Sequence, residues 1–197
     1  MDYRVYHAVN RFVVDHAWVG RLMSHVESIG VPAIAVATIA LWLLARPGAG
    51  PKWKLASASA LASAGLALLV NRVIATAWDR PRPFAVHPSA HVWGARSHDP
   101  SFPSDHASAA FGIAFAVLFF DPVAGALFIA AAVVIGAGRL VIGAHYPADV
   151  LAGCLVGLGA AVLVVRLARP VLAALVRLVE RLTDPVLAPL WRRADRL

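Results

Sequence analysis

The sequence predicts an all-α fold, a polytopic membrane helix bundle of about five spans, flanked by an N-terminal interfacial helix and a C-terminal amphipathic helix. Three observations lead there. Hydrophobic residues make up 60% of the chain against 15% charged, and mean hydropathy is +0.71, outside the soluble-domain range. The apolar residues gather in runs close to membrane-spanning length, at 29–45, 55–78, 107–120, 123–141 and 147–167. In lipid each run must be helical, because an open strand leaves backbone groups unpaired.

Taken in order, residues 1–28 are too polar to span. Tyr3, Tyr6, Val9, Phe12 and Val13 recur at helical spacing, which predicts a helix lying at the interface. Asp2, Arg4 and Arg11 interrupt the first twelve residues, so no cleavable signal is expected and the spans carry targeting. The third run is short for a span and gains length if its helix begins at Ser104. Gly136, Gly138, and the Gly153/Gly157 pair permit close backbone approach, which predicts compact bundling and no particular dimer. Cys154, the sole cysteine, is expected to be a small packing residue inside the last span. An amphipathic pattern returns at 171–182. A single domain, 1–197, is expected, divided into an interfacial segment 1–28, a bundle 29–168 and a tail 169–197.

A net charge of +7 raises the question of nucleic acid. The location of the charge answers it. Arg46, Lys52 and Lys54 fall between the first two runs, and Arg166, Arg169, Arg177, Arg181, Arg192, Arg193 and Arg196 at or beyond the end of the fifth. With five spans those regions share one side, which the positive-inside rule makes cytoplasmic. The charge is topological, the partners are membrane lipids, and nucleic acid is not among them. The C-terminus is then cytoplasmic, in a multi-pass plasma-membrane protein of bacterial type.

Three polar clusters interrupt the apolar chain, and this topology places all three at the outer face. In the first, prolines fix Arg80 and Arg82 beyond a helix end. Guanidinium forks suit phosphate oxygens, and equally suit lipid headgroups by snorkelling. In the second, Pro103 closes a loop and Ser104 is a good N-cap, so Ser104-Asp105-His106 reads as a helix start, where free N–H groups favour an anion. His106 suits either capping or protonation of a leaving oxygen. In the third, Arg139, His145 and Asp149 have the spacing R-x5-H-x3-D, with Pro147 in the first turn of a helix. If that turn includes His145, Asp149 lies on the same face, and a carboxylate on one imidazole nitrogen leaves the other as nucleophile.

These clusters resemble the type-2 phosphatidic acid phosphatase superfamily, whose pattern is K-x6-R-P, then P-S-G-H, then S-R-x5-H-x3-D. Arg82-Pro83 matches the end of the first motif, Pro103 to His106 the second, and Gly138-Arg139 through His145 to Asp149 the third. The strings SFPSDHAS, RPRPF and GAHYPADVLAG, with the short length, resemble the bacitracin-resistance type of undecaprenyl-diphosphate phosphatase. The resemblance implies that Arg82, Arg139, the Ser104 hydroxyl and the amides of Ser104 and Asp105 hold a terminal phosphate. It implies that His145 attacks phosphorus, oriented by Asp149, and that His106 protonates the departing lipid phosphate before water cleaves a phosphohistidine. No metal or other cofactor is implied.

Three departures stand out. Ala75 occupies the position of the first motif's Lys, Asp105 replaces the glycine of the second, and Gly138 the serine of the third. The missing Lys removes a charge-assisted bond worth about 1.5–3 kcal/mol. Arg80 is expected to supply that charge, and Arg72 is the poorer candidate because helix side chains lean toward the N-terminus. The long loop 84–102 is expected to cover the site, with Arg96 near an inner phosphate. Glu27 fits either a surface salt bridge or the site. The expected activity is hydrolysis of the terminal phosphate of a polyprenyl diphosphate at the outer leaflet, which recycles the wall-precursor carrier lipid. The alternatives are another lipid phosphate (phosphatidylglycerophosphate, phosphatidate or a prenylphosphoryl sugar), transfer to a second lipid, or a non-catalytic lipid-phosphate binder.

Overall fold

The structure, a computed structural model, describes residues 1–45 and 51–194, with side chains described as far as Pro189. Arg46 and Arg196 lie outside the described residues, as do the side chains of Arg192 and Arg193. Among the described residues all regular structure is helical: α1 (Asp2–Asp15), α2 (Ala17–Leu44), α3 (Lys52–Ala77), α4 (Pro83–Val86), α5 (Asp105–Leu118), α6 (Pro122–Val141), α7 (Pro147–Leu167) and α8 (Arg169–Ala194). The chain is a multi-pass membrane helix bundle. Helices α2, α3, α6 and α7 are long and apolar enough to cross a membrane.

Helix α5 corresponds to the short third run and begins as expected, with Ser104 as N-cap and its hydroxyl accepting from Ala107 N. Its 14 residues rise only about 21 Å, less than a bilayer core of about 30 Å. This is tolerable because α5 is the bundle's central helix, packed against α3, α6 and α7 and shielded from lipid on most sides. Ala110, Ala114, Ala116 and Val117 are buried there.

Small residues allow that packing. A Cβ on Gly157 would stand 2.7 Å from Gly112 N and 2.8 Å from Ser108 O, so α7 and α5 touch through backbone. The GxxxG pair of α7 thus serves packing within the chain. Gly157→Val is expected to force the two helices apart and lower thermal stability by about 1–3 kcal/mol, measurable as an earlier unfolding transition in detergent.

The N-terminal boundary differs from expectation. The interfacial helix is Asp2–Asp15 alone, and residues from Ala17 onward already belong to α2. The polar residues Arg21, His25 and Glu27 occupy the first three turns of this 28-residue helix, which rises about 42 Å and so projects beyond a 30 Å core. Helix α1 is also fastened to the bundle. Tyr6 is buried and donates to Gly143 O at 3.3 Å, and Asn10 brackets the backbone of His91 (Nδ2 to O 2.7 Å, N to Oδ1 3.0 Å).

At the opposite end of the bundle, α8 covers the start of α3. Lys54 is buried there, paired with Glu180 at 3.3 Å and with Asp184. A buried ammonium requires such partners.

Candidate active site

All three polar clusters and the N-terminal helix meet at one end of the bundle. Local chain chemistry sets this up. Helix α6 ends in a Schellman turn: Ala144 N donates to Arg139 O (3.1 Å) and Gly143 N to Leu140 O (3.0 Å), with Gly143 at φ +79°. A Cβ at Gly143 would sit 2.3 Å from His91 O, so glycine is required twice over. This turn folds the chain back and carries His145 over Arg139, which is the physical content of the R-x5-H spacing.

His145 is almost fully buried and its tautomer follows from its partners. Nδ1 lies 2.8 Å from the carbonyl oxygen of Ser101, so it carries the proton and donates. Nε2 therefore accepts, from Arg82 Nη1 at 3.1 Å and Arg139 Nη2 at 3.3 Å. The Nε2 lone pair of the imidazole points between two guanidinium groups. Both arginines are buried and anchored from behind: Arg82 donates to Asp99 O (2.9 Å) and Ala144 O (3.2 Å), and Arg139 pairs with Glu27. Arg139 Nε is buried with no partner, a donor free for a ligand oxygen.

Asp149 is placed differently from the expectation. Helix α7 begins at Pro147, so His145 lies outside it, and Asp149 is its N3 residue. Its Oδ2 accepts from Tyr146 N (2.8 Å) and from Ser101 Oγ (2.5 Å), and stands 3.7 Å from His145 Nδ1. The imidazole donates its direct hydrogen bond to Ser101 O, and Asp149 acts on His145 through Ser101 and through charge.

Arg80, expected to supply the charge of the missing Lys, is engaged by two carboxylates. Its Nη1 donates to Asp149 Oδ1 (2.6 Å), its Nη2 to Asp2 Oδ2 (2.5 Å), and its guanidinium stacks on Tyr146 at 4.2 Å. Asp2 also accepts from Ala148 N at 3.0 Å. Arg80 thus braces the carboxylate behind His145. Arg72 is exposed on α3.

His106 lies on the other side of the site, with Nε2 3.5 Å from Glu27 Oε1. Glu27 therefore belongs to the site, bridging Arg139 and His106. The Asp105 side chain is exposed and accepts from Asn71 Nδ2 (2.7 Å), a buried amide that also bonds Ser108. Only the backbone of Asp105, at the helix start, is free of that engagement and suited to an anion. The Ser104 hydroxyl is buried as the N-cap. Loop 84–102 is strapped down by Trp93 N to Ile142 O (3.0 Å) and Ser101 N to Arg80 O (2.7 Å), and Arg96 packs over the Phe84 ring.

Sequence reasoning missed Ser101, Asp2 and Asn71 as members of this network. Ser101 carried a signal, since it opens the SFPSDH string. Asp2 and Asn71 carried none.

Burial, together with the Arg139 and Arg82 charges and against Asp149, pushes the His145 imidazole from 6.5 down to about 4. Its Nε2 is therefore unprotonated at neutral pH. Because the folded value lies below the unfolded one, the unfolded chain binds the extra proton between those limits. Stability is thus expected to fall as pH drops from about 6.5 toward 4. A denaturation series in detergent checks this, and His145→Gln should flatten that window.

The arrangement can seat a tetrahedral anion between two guanidiniums, a helix start and an in-line imidazole, with a second imidazole beyond. The sequence profile of the PAP2 superfamily matches residues 56–172. The chain is 28% identical over 183 residues to the undecaprenyl-diphosphatase BcrC of Bacillus subtilis (strain 168), covering 91% of this chain and 92% of that protein. It is 30% identical to the putative undecaprenyl-diphosphatase YbjG of Escherichia coli (strain K12), over 72% of this chain and 69% of that one. Among solved structures it resembles the LpxE of Aquifex aeolicus, with a TM-score of 0.63, 20% identity, and coverage of 84% and 94%.

Proposed function

The chain belongs to the PAP2 superfamily as a membrane lipid phosphatase, and from that premise we propose that it removes the terminal phosphate of a polyprenyl diphosphate through a phosphohistidine. One observation carries the mechanism: the unprotonated Nε2 of His145 lies within 3.3 Å of both Arg82 and Arg139. A phosphoryl group held by those guanidiniums presents phosphorus to that lone pair.

The reaction runs in two displacements. The terminal phosphate takes Arg82, Arg139 (including its unpaired Nε) and the amides at the start of α5. His145 Nε2 forms the P–N bond as the P–O bond to the departing lipid phosphate breaks, and His106, charged once the anionic substrate lies beside it, gives that oxygen its proton. His106, now neutral, takes a proton from water as water attacks the phosphohistidine, and inorganic phosphate leaves. Ser101 O holds the Nδ1 proton throughout, so that the imidazolium formed on attack is stabilised. The two guanidiniums and helix-start amides offset charge on the equatorial oxygens, and no metal is assigned a step.

Substrate class rests on the likeness to BcrC along nearly the whole chain. Outer-leaflet action rests on charge: Lys52, Lys54, Arg166, Arg169, Arg177 and Arg181 all belong to the end opposite the site, which the positive-inside rule assigns to the cytoplasm. A phosphate-release panel on purified protein tests the reading. Polyprenyl diphosphate should exceed polyprenyl monophosphate and phosphatidate in kcat/KM, with activity retained in EDTA. Preference for phosphatidate would overturn the substrate assignment.

A further inference from the structure

A groove leads away from the candidate site along the membrane-embedded surface, and nothing in the proposed chemistry uses it. It lies between α2 and α6 and has a volume of about 590 Å³. Every residue lining it is apolar. Its floor is made of small residues, Gly30, Ala33 and Ala37 on α2 with Ala131 on α6, and Leu127 and Ile135 help to wall it. The helices touch at its upper part, where a Cβ on Gly30 would come within 2.8 Å of Ile135.

What distinguishes this trough from ordinary lipid-facing surface is its upper end. On α6 the lining residues Leu127, Ala131 and Ile135 recur every four residues, and the next member of that row is Arg139. On α2 the lining begins next to Glu27, the carboxylate paired with Arg139. The apolar row and the phosphate-binding row are therefore the same row. From Glu27 to Ala37 is a rise of about 15 Å, and from Arg139 to Leu127 about 18 Å, roughly half of a bilayer core. The two helices run antiparallel, so both measures descend from the site in the same direction.

We infer that this groove holds the proximal part of the substrate's tail, a single long hydrocarbon chain of polyprenyl type whose phosphate occupies Arg139. This rests on the reading of the site as a lipid-phosphate site and deepens it. The headgroup takes the unpaired Nε of Arg139, beside Glu27, and the chain then lies in the trough directly beneath. A short-tailed diphosphate makes the headgroup contacts and forgoes the groove.

Filling the floor tests this without touching the catalytic groups. Ala33→Phe and Ala131→Phe are compared with Val36→Phe, which lies on α2 outside the lining and is exposed. The readout is the ratio of kcat/KM for farnesyl diphosphate to that for dimethylallyl diphosphate, which share a headgroup. The two groove variants are expected to lower that ratio about tenfold, since losing contact with about two methylenes suffices, and Val36→Phe to leave it unchanged. A second measurement stands apart from turnover and from variant folding: a polyprenyl diphosphate bearing a diazirine in its first isoprene units, photolysed with wild-type protein. Adducts on α2 and α6 between residues 26–37 and 127–135 support the groove. An unchanged ratio in both groove variants, or adducts confined to other helices, overturns it. Failure of the wild type to release phosphate from either diphosphate would instead strike the substrate reading, while the photolabel still decides the groove.

Discussion

His145→Ala is expected to lower phosphate release by about 10⁴-fold or more, about 5 kcal/mol of transition-state stabilisation, with the helical content preserved. The size follows from chemistry. Without the imidazole no covalent intermediate forms, and Arg82 and Arg139 are left holding a phosphate with no in-line nucleophile. Rapid-quench labelling with substrate carrying radioactive terminal phosphate gives the sharper reading. Wild-type protein should hold an acid-labile, base-stable label, His145→Ala none, and His106→Ala a more persistent one, because the group that activates water is gone. Turnover within tenfold of wild type in His145→Ala would remove the nucleophile from this residue.

The second large effect is expected at Arg80, a residue that touches no substrate in this arrangement. Arg80→Ala takes away the partner of a fully buried carboxylate, Asp149, whose Oδ1 receives its bond at 2.6 Å. Breaking a buried pair on one side costs about 3–5 kcal/mol, because the remaining charge stays desolvated. Asp149 and Ser101 would shift together, and Ser101 O is what aligns His145. A misplacement of about 1 Å costs about 10²-fold in rate. Since Arg80 positions and does not bind phosphate, kcat should fall by about that factor with KM little changed. Arg80→Lys should restore part of the loss, and Arg80→Ala combined with Asp149→Asn should be less damaging than the sum of the two. A raised KM with kcat intact would return Arg80 to the role of phosphate ligand that its place in the RPRP string suggests. Asp2 shares Arg80 with Asp149, so Asp2→Asn should reproduce the same pattern in weaker form.

That contrast shows where residue patterns suffice and where they do not. The chain's own periodicity and composition were enough for an all-helical membrane bundle, for the bounds of its long apolar helices within a few residues except the start of α2, and for the start of α5 at Ser104. The nearness of Arg139, His145 and Asp149 is likewise local, because a glycine turn after α6 and a proline at the start of α7 each act within a few residues. The motif spacing is local structure: Gly143 turns the chain and Pro147 restarts it.

Folding alone decided which distant groups became neighbours. Asp2 and Arg80 are 78 residues apart, Glu27 and Arg139 are 112 apart, and no local preference records either pairing. A helical pattern states which face of a segment is polar, but not which other segment will meet that face. Two positively charged side chains two residues apart, Arg80 and Arg82, look alike on paper, yet one meets Asp149 and Asp2 and the other His145 Nε2. Likewise α1 and loop 84–102 read as amphipathic and irregular pieces, and only the bond of Asn10 to His91, with Tyr6 on Gly143 and Trp93 on Ile142, made them the frame of the site. Local sterics and hydrogen bonding write short-range order into the chain, whereas partner choice between buried charges depends on which helices pack side by side.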